Sequence, residues 1–193
     1  MMRIGFMGGS FDPVHIGHLA VARTVAQALA LDQVWLIPAA QAPLRTDAVR
    51  TDGRHRTAML RLATSGNDNL FVSEIEIQRG GISYTVDTLR ALKKGHPSDD
   101  FFWILGEDQL ARLPCWSEPA ALCGLTEFVC YSRPGYPPVA PPQIPGLRVH
   151  RVEGPLWPIS SSLIRERLRR GEVIQGLVSD KVIEYIQENS LYT

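Results

Sequence analysis

An apolar run of four residues, Ile4 to Met7, passes at once into Gly8-Gly9-Ser10-Phe11-Asp12-Pro13-Val14-His15-Ile16-Gly17-His18. A stretch from Leu19 to Ala30 follows, in which Val21, Ala22, Val25, Ala28 and Leu29 recur at helical spacing. The order is strand, glycine turn, helix. Paired glycines let backbone approach a ligand closely, and a helix start offers unpaired N–H groups and partial positive charge, so phosphate is the natural guest. A lone histidine at such a place is ordinarily a cap or a packed side chain. Here two stand three residues apart with Gly17 between them, so both rings can enter the volume that glycine leaves open. A metal site is the rival reading, but the three cysteines are remote and no other histidine or acid completes a ligand set at recognisable spacing. Phosphate is favoured.

The rest of the chain alternates strand and helix, which argues for an α/β fold, a parallel sheet covered on both faces. Val34 to Ile37 reads as a strand ended by Pro38, Ala39 to Gly53 as irregular, and Arg54 to Ala63 as a helix. Phe71 to Ile77 alternates apolar and polar residues as an edge strand does. Ser83 to Lys94 reads as a helix with Ser83 as N-cap, stopped by Gly95 and Pro97. Phe101 to Leu105 is wholly apolar, the pattern of a central strand, and Phe128 to Tyr131 is another. The proline-dense Pro134 to Pro145 reads as loop, and Leu147 to Val152 returns to the sheet. Two short amphipathic helices, Ser162 to Arg170 and Asp180 to Gln187, complete the pattern, so residues 1–193 are expected to form one domain, with 159–193 a helical subdomain.

The 20 Lys and Arg balance 20 Asp and Glu, so no broad basic surface for nucleic acid is implied. No apolar run reaches the roughly 18 residues of a membrane span, and the first residues enter a strand without the pattern of a signal peptide. Cys115, Cys123 and Cys130 are odd in number and lack a Cys-x-x-Cys pair, as suits reduced thiols. A cytoplasmic protein with small-molecule partners is expected, one that binds neither membrane nor nucleic acid.

A second stretch with chemistry is Ile159-Ser160-Ser161-Ser162-Leu163-Ile164-Arg165. Serines ahead of an apolar periodic run are ordinary N-caps. Arg165, read as lying in the first turn, would oppose the helix dipole by roughly 0.3–1 kcal/mol unless an anion occupies the helix end. Hydroxyls, free amides and one arginine make a second phosphate cradle. Arg167, Arg169 and Arg170 read as a solvated face. Gly106-Glu107-Asp108 follows the strand Phe101 to Leu105, at the carboxyl end where open α/β sheets bind ligands. Asp108 has two readings there, a cap for a helix Gln109 to Leu113 or a ligand contact.

The run Gly9 to His18 resembles the signature of the HxGH nucleotidyltransferase superfamily, and above all its nicotinate-nucleotide adenylyltransferases. His15-Ile16-Gly17-His18 alone also resembles a tetrapeptide of class I aminoacyl-tRNA synthetases. Ile159 to Arg165 resembles the Ile-Ser-x-Thr-x-x-Arg element of the same adenylyltransferases, with Ser162 in place of the usual Thr. The resemblance spans nearly the whole chain. It implies a Rossmann-like fold and transfer of the adenylyl group of ATP, with Mg²⁺, to the 5′-phosphate of nicotinate mononucleotide. It assigns catalysis to His15, His18 and Arg165. ATP would be held by these three together with Gly8, Gly9, Ser10 and Phe11 from the first motif, Gly106 and Asp108 at the ribose, and Ile159, Ser160 and Ser161. The mononucleotide would meet Ser10, Phe11, Arg45, Arg133, Tyr84 and Thr85, with Trp116 stacked on the nicotinate ring; a tryptophan after proline is otherwise more often a packing residue. Family members commonly carry Pro-Pro-His before Lys or Arg where this chain reads Ala42-Pro43-Leu44-Arg45, so the cation is kept and the histidine is not. Another phosphate acceptor, such as nicotinamide mononucleotide or phosphopantetheine, and a non-catalytic nucleotide sensor are the alternatives.

Overall fold

Strand β1 (Arg3–Gly9) runs into helix α1 (Ile16–Ala28), followed by β2 (Gln33–Pro38), α2 (Gly53–Thr64), β3 (Leu70–Val72), α3 (Ile75–Arg79) and α4 (Thr85–Gly95). Then come β4 (Asp100–Gly106), α5 (Glu107–Ala111), a 3₁₀ turn (Leu113–Cys115), α6 (Pro119–Leu125), β5 (Glu127–Ser132), β6 (Val149–Glu153), α7 (Ser161–Arg169) and α8 (Asp180–Glu188). The structure, a computed structural model, describes residues 1–43, 51–132 and 138–193.

The strands form one sheet in the order β3-β2-β1-β4-β5-β6, and every pairing is parallel. This is a Rossmann-like arrangement, with the reversal of strand order between β1 and β4. A crevice therefore opens beyond the carboxyl ends of those two strands, where Gly9 and Gly106 lie.

Side-chain alternation builds two cores from one sheet. On one face Phe102 and Ile104 of β4 join Val34 and Leu36 of β2, under Leu19 and Val25 of α1, Met59 and Leu60 of α2, Ile164 of α7 and Val182 of α8. On the other, Phe101, Trp103 and Leu105 join Ile4 and Phe6 of β1, under Val86 and Leu89 of α4, Leu110 of α5 and Leu122 of α6. Ion pairs such as Arg90–Glu118, half-exposed at 2.7 Å, add at most about 1 kcal/mol each. Each fully buried apolar side chain contributes about 1.5–3 kcal/mol, so the two layers decide the architecture.

Three local expectations need correcting. The run Phe71 to Ile77 is not one strand: β3 stops at Val72 and Ile75 begins the short α3. The residue turned inward is the polar one, because the buried Glu76 carboxylate accepts a hydrogen bond from the Thr88 hydroxyl at 2.6 Å. Ser83 is not the cap of α4. Tyr84 holds that position, and the Ser83 hydroxyl instead accepts from the Ala40 amide at 2.9 Å. The helix expected over Gln109 to Leu113 begins earlier, with Gly106 as N-cap of α5, so Asp108 is not its cap.

Candidate active site

The first motif is built differently from the glycine cradle expected of it. Gly8 and Gly9 belong to β1, and the volume a side chain would need is already filled. A Cβ on Gly8 would stand 2.8 Å from the Trp103 ring, and one on Gly9 would stand 3.1 Å from the Phe11 ring. These glycines admit aromatic rings against the strand end. Two amides at the α1 start are also spent, Ile16 N–H on the Leu177 carbonyl at 2.9 Å and His18 N–H on the His15 carbonyl at 3.0 Å. The donors left for an anion are then chiefly side chains.

The two imidazoles stack at 3.6 Å, and Phe11 packs edge-on to His18 at 4.9 Å. The space beside Gly17 is taken by the His15 ring and by the Cβ of Trp157, so it does not stand open to both imidazoles. His18 Nδ1 accepts from the His15 amide at 3.2 Å, which places the proton of the neutral ring on Nε2. His15 is buried, its Nδ1 has no partner, and burial pushes its pKa down to about 4. It is neutral at pH 7. Unfolded, it would protonate near 6.5; folded, only near 4. Stability from this residue is therefore complete above pH 6.5 and is lost as pH falls toward 4, on the order of 3 kcal/mol. Urea unfolding of the parent protein and of His15→Gln across this range should show a smaller acid loss in the variant; identical pH dependence would contradict the burial argument.

The second motif closes on the first across 148 to 153 residues of sequence. Ser160 caps α7, its hydroxyl accepting from the Leu163 amide at 3.1 Å and keeping its own proton to donate. The Ser161 hydroxyl donates to the Pro13 carbonyl at 2.8 Å. Arg165 is the fifth helical residue, in the second turn and not the first, so the dipole argument for an anion loses its force. Its geometry supplies another: Nη1 donates to the Asp12 carbonyl at 2.7 Å, Nη2 to the Ser162 hydroxyl at 3.2 Å, and Nε is buried without a partner. Ile159 packs against the first core.

Arg56 was not singled out by its sequence context, yet it frames the same loop. Buried in α2, it donates to the carbonyls of Ser10 and Ala39, each at 2.8 Å, and of Thr51 at 3.0 Å. Burial draws its pKa below the usual guanidinium range while the Asp12 charge opposes this. Its signal lay in position: Arg56 shares a helix face with Met59, Leu60 and Ala63, three, four and seven residues on.

Beyond β4, the Glu107 carboxylate accepts from the Ser132 hydroxyl and from Arg151, both at 2.6 Å, and from the Val139 amide at 3.0 Å. Burial pushes this carboxyl up, but those partners outweigh it and hold it below the ordinary range. The network ties the ends of β4, β5 and β6 beside Gly106 and the exposed Asp108. Tyr84 and Thr85 open α4, and Trp116 follows the 3₁₀ turn, with Tyr84 and Trp116 packed against the second core. The Trp116 Nε1 is buried without a partner. Arg45 and Arg133, and Leu44 with them, lie outside the described residues.

A parallel sheet with its order reversed between β1 and β4, and an arginine tied to the loop that joins β1 to a histidine-bearing helix, define a Rossmann-like nucleotide-binding protein of the nucleotidyltransferase class. The chain belongs to the cytidylyltransferase-like family, whose profile matches residues 6–167, and within it to the nicotinate-nucleotide adenylyltransferases. It is 45% identical over 191 residues to a probable nicotinate-nucleotide adenylyltransferase of Opitutus terrae, covering 99% of this chain and 98% of that one. It is 41% identical to another so described from Geobacillus kaustophilus, covering 100% and 87%. Among solved structures, the nicotinic acid mononucleotide adenylyltransferase of Plasmodium falciparum complexed with NaAD superposes with a TM-score of 0.80 at 22% identity, covering 100% of this chain and 98% of that one. At that identity the likeness concerns the fold.

Proposed function

We propose that this protein transfers the adenylyl group of ATP to the 5′-phosphate of nicotinate mononucleotide, giving nicotinate adenine dinucleotide and pyrophosphate in NAD biosynthesis. The observation that carries the reading is the closure of the second motif onto the first, Arg165 on the Asp12 carbonyl and Ser161 on that of Pro13. It sets a histidine donor and an arginine on either side of one loop. Relatives carrying this activity in their description match over nearly the full chain. Residues 1–193 act as one unit in this reading, with 159–193 supplying the triphosphate side.

The mononucleotide phosphate is largely a dianion near neutral pH and needs no general base. Its oxygen forms a bond to the α-phosphorus as the bond from that phosphorus to the β-phosphate oxygen breaks, and pyrophosphate leaves with the electron pair. The barrier is repulsion between anions and charge growing on the leaving group, so catalysis is positioning plus electrostatic stabilisation. His18 Nε2 donates to the α-phosphate. His15, neutral and stacked on His18, fixes that ring through its amide. Arg165 and the Ser160 hydroxyl hold the β- and γ-phosphates, while Ser161, its proton committed to Pro13, ties the two motifs together. Gly8, Gly9, Ser10 and Phe11 shape the loop between the substrates, Ile159 seats α7, and Gly106 and Asp108 face the adenosine ribose. Tyr84 and Thr85 offer donors at the start of α4 to the nicotinate carboxylate, with Arg45 and Arg133 assigned to the same substrate.

Mg²⁺ fits this donor set as an ion brought in on ATP. Among the described residues no group of three or more His, Cys, Asp and Glu side chains is gathered for a metal, and triphosphate oxygens supply the hard ligands this ion takes. It would lower the charge repulsion that opposes attack. A reducing, cytoplasmic setting belongs to the same reading and accords with three free thiols; among the described residues no helix is long and apolar enough to cross a membrane.

Incubation with ATP, Mg²⁺ and nicotinate mononucleotide should yield one dinucleotide per pyrophosphate by mass spectrometry; release of inorganic phosphate or AMP without dinucleotide would overturn the reading. Trp116→Ala should raise the KM for the mononucleotide about tenfold, the scale of one aromatic contact, and leave that for ATP within about twofold. Equal losses for both substrates would show that the indole only packs.

A further inference from the structure

Tyr192, in the short stretch after α8, reaches 180 residues back to the phosphate loop: its phenol donates to Asp12 Oδ1 at 2.7 Å. The carboxylate end is buried, with Asp12 only 3% exposed, and Tyr192 is half-buried. Burial and the neighbouring Asp12 carboxylate push the phenol pKa up, so at neutral pH it keeps the proton that it donates to Asp12. The backbone bears the cost of delivering it. Ser190 and Tyr192 both adopt positive φ, +48° and +67°, a region that side-chain-bearing residues occupy only when their surroundings hold them there. The Thr51 side chain also bonds the phenol, and Thr51 is one of the carbonyls that Arg56 binds.

Resting on the adenylyl-transfer reading, we infer that Tyr192 is a positioning residue: by anchoring the Asp12 side chain it fixes the Asp12 main chain whose carbonyl holds Arg165 for the triphosphate. Asp12 is thereby gripped at both ends, the carboxylate by Tyr192 and the carbonyl by Arg165 Nη1. Arg56 immobilises the carbonyl of Ser10, two residues before. Without the Tyr192 bond the carboxylate loses one of its anchors, the backbone between Ser10 and Pro13 gains freedom, and the Asp12 carbonyl presents a less fixed acceptor. Arg165 then keeps its charge and loses its orientation. The larger effect falls on the triphosphate side, where Arg165 loses its orientation; the mononucleotide meets this loop only at Ser10 and Phe11, while Thr85 and Trp116 are set by α4 and by the second core.

Tyr192→Phe removes the hydroxyl and keeps the ring, so the packing of the stretch is preserved. Two measurements decide. Hydrogen–deuterium exchange should rise tenfold or more at the amides of Ser10, Phe11, Asp12 and Val14, with α4 and β4 unchanged; this needs no turnover and no ligand. Calorimetry with a non-hydrolysable ATP analogue and Mg²⁺ should show about tenfold weaker binding, against less than threefold for nicotinate mononucleotide. In an Arg165→Lys background the same substitution should weaken analogue binding by less than twofold, since the group it orients is already altered. Unchanged exchange at residues 10–14 would overturn the positioning role. So would equal weakening of both ligands, or full additivity with Arg165→Lys. A parent protein that binds no ATP analogue would remove the adenylyl-transfer reading and with it the triphosphate part of this inference, while the exchange measurement would still show whether Tyr192 holds the loop.

Discussion

His18→Ala should lower turnover about a hundredfold or more, the scale for losing one preorganised donor aimed at developing charge. The reasons lie in how the ring is held. Its Nδ1 is occupied by the His15 amide, one face lies on the His15 ring, and Phe11 meets it edge-on, so Nε2–H is fixed before substrate arrives. A donor held in this way acts mainly on the transition state. The loss therefore falls on kcat, with the KM for ATP within a few-fold of the parent value. His18→Gln, which can still donate but lacks the stacked ring, should recover part of the rate. Turnover within a few-fold of the parent, from a variant with intact folding, would remove His18 from the reaction.

Arg165→Ala carries the second large effect and differs in kind. The side chain is both a counter-charge for the triphosphate and a link to the Asp12 carbonyl, so its removal costs binding and leaves a carbonyl without its partner. A hundred- to thousandfold fall in kcat/KM for ATP is expected, on the order of 3–4 kcal/mol. Arg165→Lys keeps the charge and loses the fork that reaches Asp12 and Ser162 together, and should sit about tenfold below the parent. Steady-state kinetics at varied ATP separates the cases. An unchanged KM for ATP in Arg165→Ala would contradict the triphosphate role.

The parallel sheet was legible because each strand announces itself by an apolar run, and the wholly apolar Phe101 to Leu105 does lie next to β1 at the sheet centre. The break after Val72 was not. There the assumption that polar residues face outward fails, since Glu76 is buried to receive Thr88 while Ile75 and Ile77 lie partly exposed. Within the candidate site, His15, His18, Ser160 and Arg165 stood out because they cluster in two short stretches. Arg56 and Tyr192 did not, because what they do depends on partners 46 and 180 residues away. The glycines were legible as necessary, but the necessity is aromatic packing by Phe11 and Trp103, something no local pattern specifies.

Pyrophosphate release from ATP and Mg²⁺, with nicotinate mononucleotide, nicotinamide mononucleotide and phosphopantetheine offered separately, tests the central claim most directly. Strong preference for nicotinate mononucleotide is the predicted result, with the acid singled out by the donors at Tyr84 and Thr85. Release with another acceptor in its place would keep the adenylyl chemistry and overturn the substrate, and no release with any of the three would contradict catalysis itself.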